Sequence, residues 1–134
     1  MLEAGIKGSQ SVTVTLENSA KAVGSGMLEV FATPSMIALM EKTASESVAP
    51  MLDAGCGTVG TKLDVAHVSA TPVGMTVRCD STLTAVDGRK LVFSVAAYDI
   101  SKNGTETLIG EGTHERFIIQ NEKFMAKTMS KLDK

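Results

Sequence analysis

From Pro34 to Met51 the apolar side chains recur at helical spacing. At about 100° per residue, Met36, Ile37, Met40, Ala44, Val48 and Met51 fall on one broad side. Lys42 and Glu46 occupy the opposite side as i,i+4 neighbours. Thr33 has N-cap chemistry, and Pro34 suits the first helical position, where a missing N–H costs nothing. The pattern fades over Pro50 to Asp53, and Gly55 is a good terminator.

On both sides of this helix the period shortens to two. Val12, Val14 and Leu16 alternate with threonines, and Leu28 to Phe31 has the content of a short second strand. Beyond the helix, strands are predicted over Val59 to Val68, Met75 to Ala85, Leu91 to Asp99 and Leu108 to Ile119. Their links carry turn residues: Thr71-Pro72-Val73-Gly74, Asp87-Gly88 and Lys102-Asn103-Gly104. Short links of this kind join antiparallel neighbours. One long helix with about five or six such strands gives an α+β fold, the helix lying on one sheet face.

With 134 residues, the chain is expected to form a single domain over 1–134. Its core runs from about Ile6 to Ile119. The lysine-rich tail over 120–134 is expected to fray or to form a short helix that rests Phe124 and Met125 on the body. The chain has no tryptophan and only five aromatic residues (four Phe, one Tyr), so aliphatic and methionine side chains must fill the core. A net charge of -2 offers no electrostatic argument for nucleic acid or for an anionic membrane. Nothing approaches a membrane span, and the start lacks a signal-peptide run. Cys56 and Cys79 make neither a metal pair nor a disulfide framework, so a cytoplasmic location with reduced thiols is expected.

Three polar residues stand out against this background. Glu41 lies roughly 80° from the middle of the apolar side, beside Ile37 and Val48 rather than with Lys42 and Glu46. A carboxylate at the rim of the core, solvated or paired, is the plainer account. By strand alternation His67 shares a face with Val59, Leu63 and Val65, where a lone histidine is commonly a satisfied structural residue. Together, a carboxylate and an imidazole at one helix–sheet seam can hold, deprotonate and aim a water or hydroxyl. Thr33 supplies a hydroxyl two turns from Glu41, at a helix end whose N–H groups suit an anionic intermediate.

Other matches carry less. Gly55-Cys56-Gly57-Thr58-Val59-Gly60 satisfies GxGxxG, but it follows a helix and precedes a strand, the reverse of a dinucleotide fingerprint. His114 alternates against Glu111 and Glu115 in a strand, so the three do not converge on a metal. Cys56 has no neighbour clearly placed to lower its pKa.

Three segments resemble the fluoroacetyl-CoA thioesterase-like family of the hotdog superfamily. They are Val30-Phe31-Ala32-Thr33-Pro34 followed by Glu41, Val59-Gly60-Thr61 through His67 to Ala70-Thr71-Pro72-Val73-Gly74, and Gly110-Glu111-Gly112-Thr113-His114-Glu115-Arg116-Phe117. The resemblance implies a long helix wrapped by a curved antiparallel sheet. It also implies a homodimer, or a dimer of dimers, with active sites at the subunit interface. It implies hydrolysis of a short or medium acyl-CoA to free acid and CoA, with no cofactor because CoA is part of the substrate. Thr33, Glu41 and His67 fall on the family's catalytic positions, and Gly60, Pro34 and Arg116 are expected along the substrate. The fluoroacetate-specific member carries an aromatic lid between first strand and helix. Here Glu17 to Met27 contains no phenylalanine, which argues for other acyl groups. The alternative is a non-catalytic acyl-CoA-binding or sensing protein of the same fold.

Overall fold

The central helix begins one residue earlier than its cap chemistry suggests. The computed structural model, which describes Met1–Lys134, places β1 at Lys7–Thr13, α1 at Ala20–Val23 and α2 at Thr33–Val48. Ala32, in extended conformation, takes the N-cap position and makes no side-chain cap bond. Thr33 is thus the first helical residue and its hydroxyl is released from capping, a correction to the sequence reading. Pro34 still sits in the first turn. The buried stripe of α2 comprises Met36, Leu39, Met40, Thr43, Ala44 and Val48. It is rotated toward Leu39 and Thr43; Ile37 is half-buried, and Met51, past the helix end, is exposed. Glu41 is thereby carried further from the centre of the buried face than the helical wheel implies. The chain leaves the helix through a 3₁₀ turn at Ala49–Met51 and reverses at Gly55, whose φ of 82° favours glycine.

Four more strands follow: β2 at Cys56–His67, β3 at Thr76–Asp87, β4 at Lys90–Ile100 and β5 at Glu106–Gln120. They join β1 in one sheet of order β1-β3-β4-β5-β2, antiparallel throughout. The sheet has five strands. Leu28 to Phe31 makes only isolated bridges, Val30 to Pro72 and Phe31 to Ser19, and the first strand stops at Thr13, leaving Leu16 exposed. The tail forms α3 at Asn121–Met129, with Phe124, Met125 and Met129 largely exposed. No helix is long and apolar enough to cross a membrane.

The helix packs chiefly over β1, β3 and β4. Gly8 on β1 allows the close approach: a Cβ there would lie 2.7 Å from the Ser47 Cβ and 2.9 Å from the Thr43 carbonyl. Phe31, Phe93, Met36, Met40 and Leu83 fill the seam between the two layers. Over β5 and β2 the helix cover thins, and that margin receives Glu41.

Two properties of β2 shape the margin. The strand pairs only with β5, so its other edge is free. Its register also slips between Gly60 and Lys62, leaving Thr61 as a bulge. On either side of the bulge Gly60 stands opposite Arg116, and Leu63 opposite His114. Cross-strand partners share a face, so Gly60 and Leu63 both lie on the inner side with the buried Arg116 and His114. Val59 is opposite Phe117, on the outer side. Simple alternation, which put Val59 with His67, fails because the bulge reverses the phase.

Candidate active site

Thr33 and His67 meet directly. The first helical residue of α2 and the last residue of β2 set Oγ1 2.7 Å from Nδ1. They line a cavity of about 310 Å³ together with Ala20, Ser25, Val30 and Phe31. Nε2 of the ring is occluded and without a partner, so Nδ1 is the nitrogen engaged by Thr33. Burial pulls the His67 pKa below its ordinary value of 6.5, only partly opposed by the nearby Ser69 backbone. The imidazole is therefore neutral and basic at neutral pH. Thr33 also stands where the helix leaves its first amides unpaired; Pro34 has none to offer, while Thr33 and Ser35 do.

Glu41 belongs to a second cluster. Eight residues further along α2, about 12 Å by helical rise, its Oε2 accepts from Arg116 Nη1 at 3.1 Å. Arg116 is buried, with Nε donating to Thr58 Oγ1 at 2.8 Å and Nη2 to the Thr58 carbonyl at 3.0 Å. Burial lowers the Arg116 pKa against the support of Glu41. Gly60 is the close neighbour of this pair. A Cβ there would run into Glu41 Oε2 and lie 3.2 Å from Arg116 Nη1.

Within one chain the structure thus forms two groups from the residues singled out. Thr33 and His67 share a hydrogen bond and a cavity. Glu41, Gly60 and Arg116 share an ion pair and a close packing contact. Pro34 lies beside Thr33 in the first turn and lines no part of that cavity. His114, weighed from sequence only as a metal ligand, joins the Glu41 group through Arg116 Nη1 at 3.1 Å. Its position two residues from Arg116, on the same strand face, is the one sequence signal that pointed there.

A long helix cradled by a five-stranded antiparallel sheet is the hotdog fold of the thioesterases. A model of the fluoroacetyl-CoA-specific thioesterase family matches residues 14–122. The chain belongs to that family. It is similar to the fluoroacetyl-CoA thioesterase of Streptantibioticus cattleyicolor, 46% identical over 103 residues, which span 77% of this chain and 70% of that enzyme. A crystal structure of a fluoroacetyl-CoA thioesterase superposes with a TM-score of 0.89 at 36% identity, covering 98% of both chains. A threonine-to-serine variant of such an enzyme, solved in complex with acetyl-CoA, gives 0.87 at 34% identity, covering 97% of this chain and 98% of that one. A thioesterase-superfamily protein of Thermus thermophilus gives 0.87 at 25% identity, over 99% and 95% of the two chains.

Proposed function

We propose that this chain hydrolyses a short or medium acyl-CoA to the free acid and CoA, at a site assembled between two copies of itself. The observation that carries the reading is the Thr33–His67 pair, 2.7 Å apart on the wall of a cavity. A neutral imidazole beside a hydroxyl can take the proton of an attacking group. In this scheme His67 is the base, Thr33 orients the ring and the reacting group, and Glu41 directs the water or attacks the thioester itself. The first-turn amides of α2 stabilise the oxyanion. The chemistry needs no cofactor, since CoA arrives as part of the substrate. Free thiols at Cys56 and Cys79 support a reducing, cytoplasmic setting.

The free edge of β2 supplies the missing proximity. A long, proline-free edge strand is a template for another strand. Antiparallel pairing of two β2 edges about a two-fold axis at Asp64, with the bulged Thr61 taking up the extra residue, sets the partner subunit's His67 alongside Gly60, and hence against Glu41. A homodimer of this kind brings Glu41 of one chain to the Thr33–His67 pair of the other, twice.

The acyl group enters the cavity beside Thr33. There the segment from Glu17 to Met27 contributes only Ala20 and Ser25, and Phe31 is the one phenylalanine in the wall. Small walls support aliphatic chains of short or medium length over one selected halogenated group. A panel of acyl-CoAs, scored by release of free thiol, tests the proposal. Turnover is expected to peak within the short-to-medium range. Tight binding without thiol release would favour the sensing alternative.

The pH dependence follows from the burial of His67. The base works in its neutral form, so kcat/KM falls as pH drops through the His67 pKa and is flat above it. Burial lowers that pKa and the partner subunit's Glu41 raises it in this scheme, so Glu41→Gln is expected to move the acid limb to lower pH. It should vanish from the residual activity of His67→Ala. A limb unmoved by Glu41→Gln would place the carboxylate away from the imidazole.

A further inference from the structure

His114 has no exposed surface and no role in the scheme above, yet its ring is held on three sides. Phe93 of β4 stacks on it, with centroids 6.2 Å apart and planes 29° from parallel. Nδ1 lies 2.8 Å from the Lys62 carbonyl on β2, and Nε2 lies 3.1 Å from Arg116 Nη1 on its own strand. A carbonyl only accepts and a guanidinium only donates. Nδ1 therefore carries the proton, Nε2 is bare, and the ring is one neutral tautomer.

Arg116 Nη1 has two hydrogens. One is directed to His114 Nε2 and the other to Glu41 Oε2. With Nε and Nη2 both bound to Thr58, His114 closes the remaining edge and fixes the guanidinium plane. The Lys62 carbonyl that anchors the ring follows the bulged Thr61, and that same bulge brings Gly60 against Glu41. One distortion of β2 thus serves both the anchor and the carboxylate.

We propose that His114 is a positioning residue that aims the Glu41 carboxylate through Arg116, as the acceptor that orients Nη1. The proposal rests on the catalytic reading of Glu41. The charged groups near the ring are Glu41 from α2, and Arg116 and Glu115 from β5; Phe93 from β4 and the Lys62 carbonyl from β2 add no charge. Burial holds the ring below its ordinary pKa, opposed first by the hydrogen bond to the Lys62 carbonyl; Arg116 lowers it further, against weaker contributions from Glu41 and Glu115. A protonated ring would set an imidazolium against the guanidinium and remove the acceptor.

Two substitutions separate the halves of the clamp. His114→Gln places an amide oxygen near the Nε2 position and keeps an acceptor for Arg116. His114→Asn keeps only the side that reaches Lys62. For His114→Asn we expect kcat to fall up to about a hundredfold with KM nearly unchanged, since a misaimed reacting group costs rate rather than binding. His114→Gln should recover most of the rate. In a Glu41→Gln background His114→Asn should cost nothing further, because both act through one carboxylate. Additive losses, or a wild-type kcat in folded His114→Asn, would overturn the proposal.

A readout independent of turnover keeps the two hypotheses apart. His67→Ala leaves His114 as the sole histidine, so its ring nitrogens can be followed in a ¹⁵N-labelled sample. The expected signature is a protonated Nδ1 and a bare Nε2 at neutral pH. A protonated Nε2 would refute the clamp even in an active enzyme. The expected signature in a chain that cleaves no acyl-CoA would leave the clamp standing and remove only the thioesterase reading.

Discussion

Mixing two crippled variants, Glu41→Gln and His67→Ala, is expected to yield dimers with about half the wild-type activity, because a two-fold assembly then retains one intact site of two. Each variant alone should lose roughly 10²- to 10⁴-fold in kcat, the usual span for a positioned acid or base. The recovery follows from the placement of the two groups. Within one chain Glu41 is held by Arg116 beside Gly60, while His67 is held by Thr33. If each site takes Glu41 from one chain and His67 from the other, a mixed dimer has one site with both groups altered and one with both native. If each site lies within one chain, both sites of the mixed dimer lack one group. Differently tagged chains, co-expressed and purified through both tags, give the mixed species directly. Activity no higher than that of the parent variants would refute the shared site.

The sequence made the fold and half of the site legible, and the reasons differ by residue. Periods of 3.6 and 2 are written by burial, so α2 and the four strands after it emerged within a few residues of their ends. The predicted strand at Leu28 to Phe31 failed because its backbone bonds go to scattered partners, Ala20 and Thr71 among them, and no ladder forms. Thr33 read as a cap because threonine is a good one. Only the geometry shows its hydroxyl turned to His67 instead. Glu41 and His67 were visible as polar residues on apolar faces, but their partners were not. The bulge at Thr61 has no composition of its own, and it decides that Gly60 rather than Val59 faces the helix. Alternation puts His114 and Arg116 on one strand face, but the sequence reading took the first only as a metal ligand and the second as a substrate contact. Their hydrogen bonds to a bulged carbonyl and to a helix carboxylate span long stretches of chain that no local pattern records.

Gly60→Ala should lower kcat up to about a hundredfold in a chain that still folds, since small displacements of a reacting group carry costs of that size. Gly60 has no positive φ, so its backbone accepts alanine without strain. What the methyl group meets is the Glu41 carboxylate, and behind it Arg116 Nη1. Glu41 is only partly buried, so its end can swing outward and the fold survives. The carboxylate then loses its aim. Gly57→Ala is the matched control on the same strand, because the new Cβ there meets only the Asn121 side chain, which can move aside. Gly112 would be a poor choice: a Cβ there would strike the Asp64 backbone and threaten the fold itself. If Gly60→Ala keeps wild-type kcat, Glu41 does not act from its observed position. If KM rises alone, Gly60 touches the substrate and the carboxylate tolerates the methyl. A fall in kcat that disappears in the Glu41→Gln background shows that the damage runs through the carboxylate, and ties the missing side chain of Gly60 to the aim of Glu41.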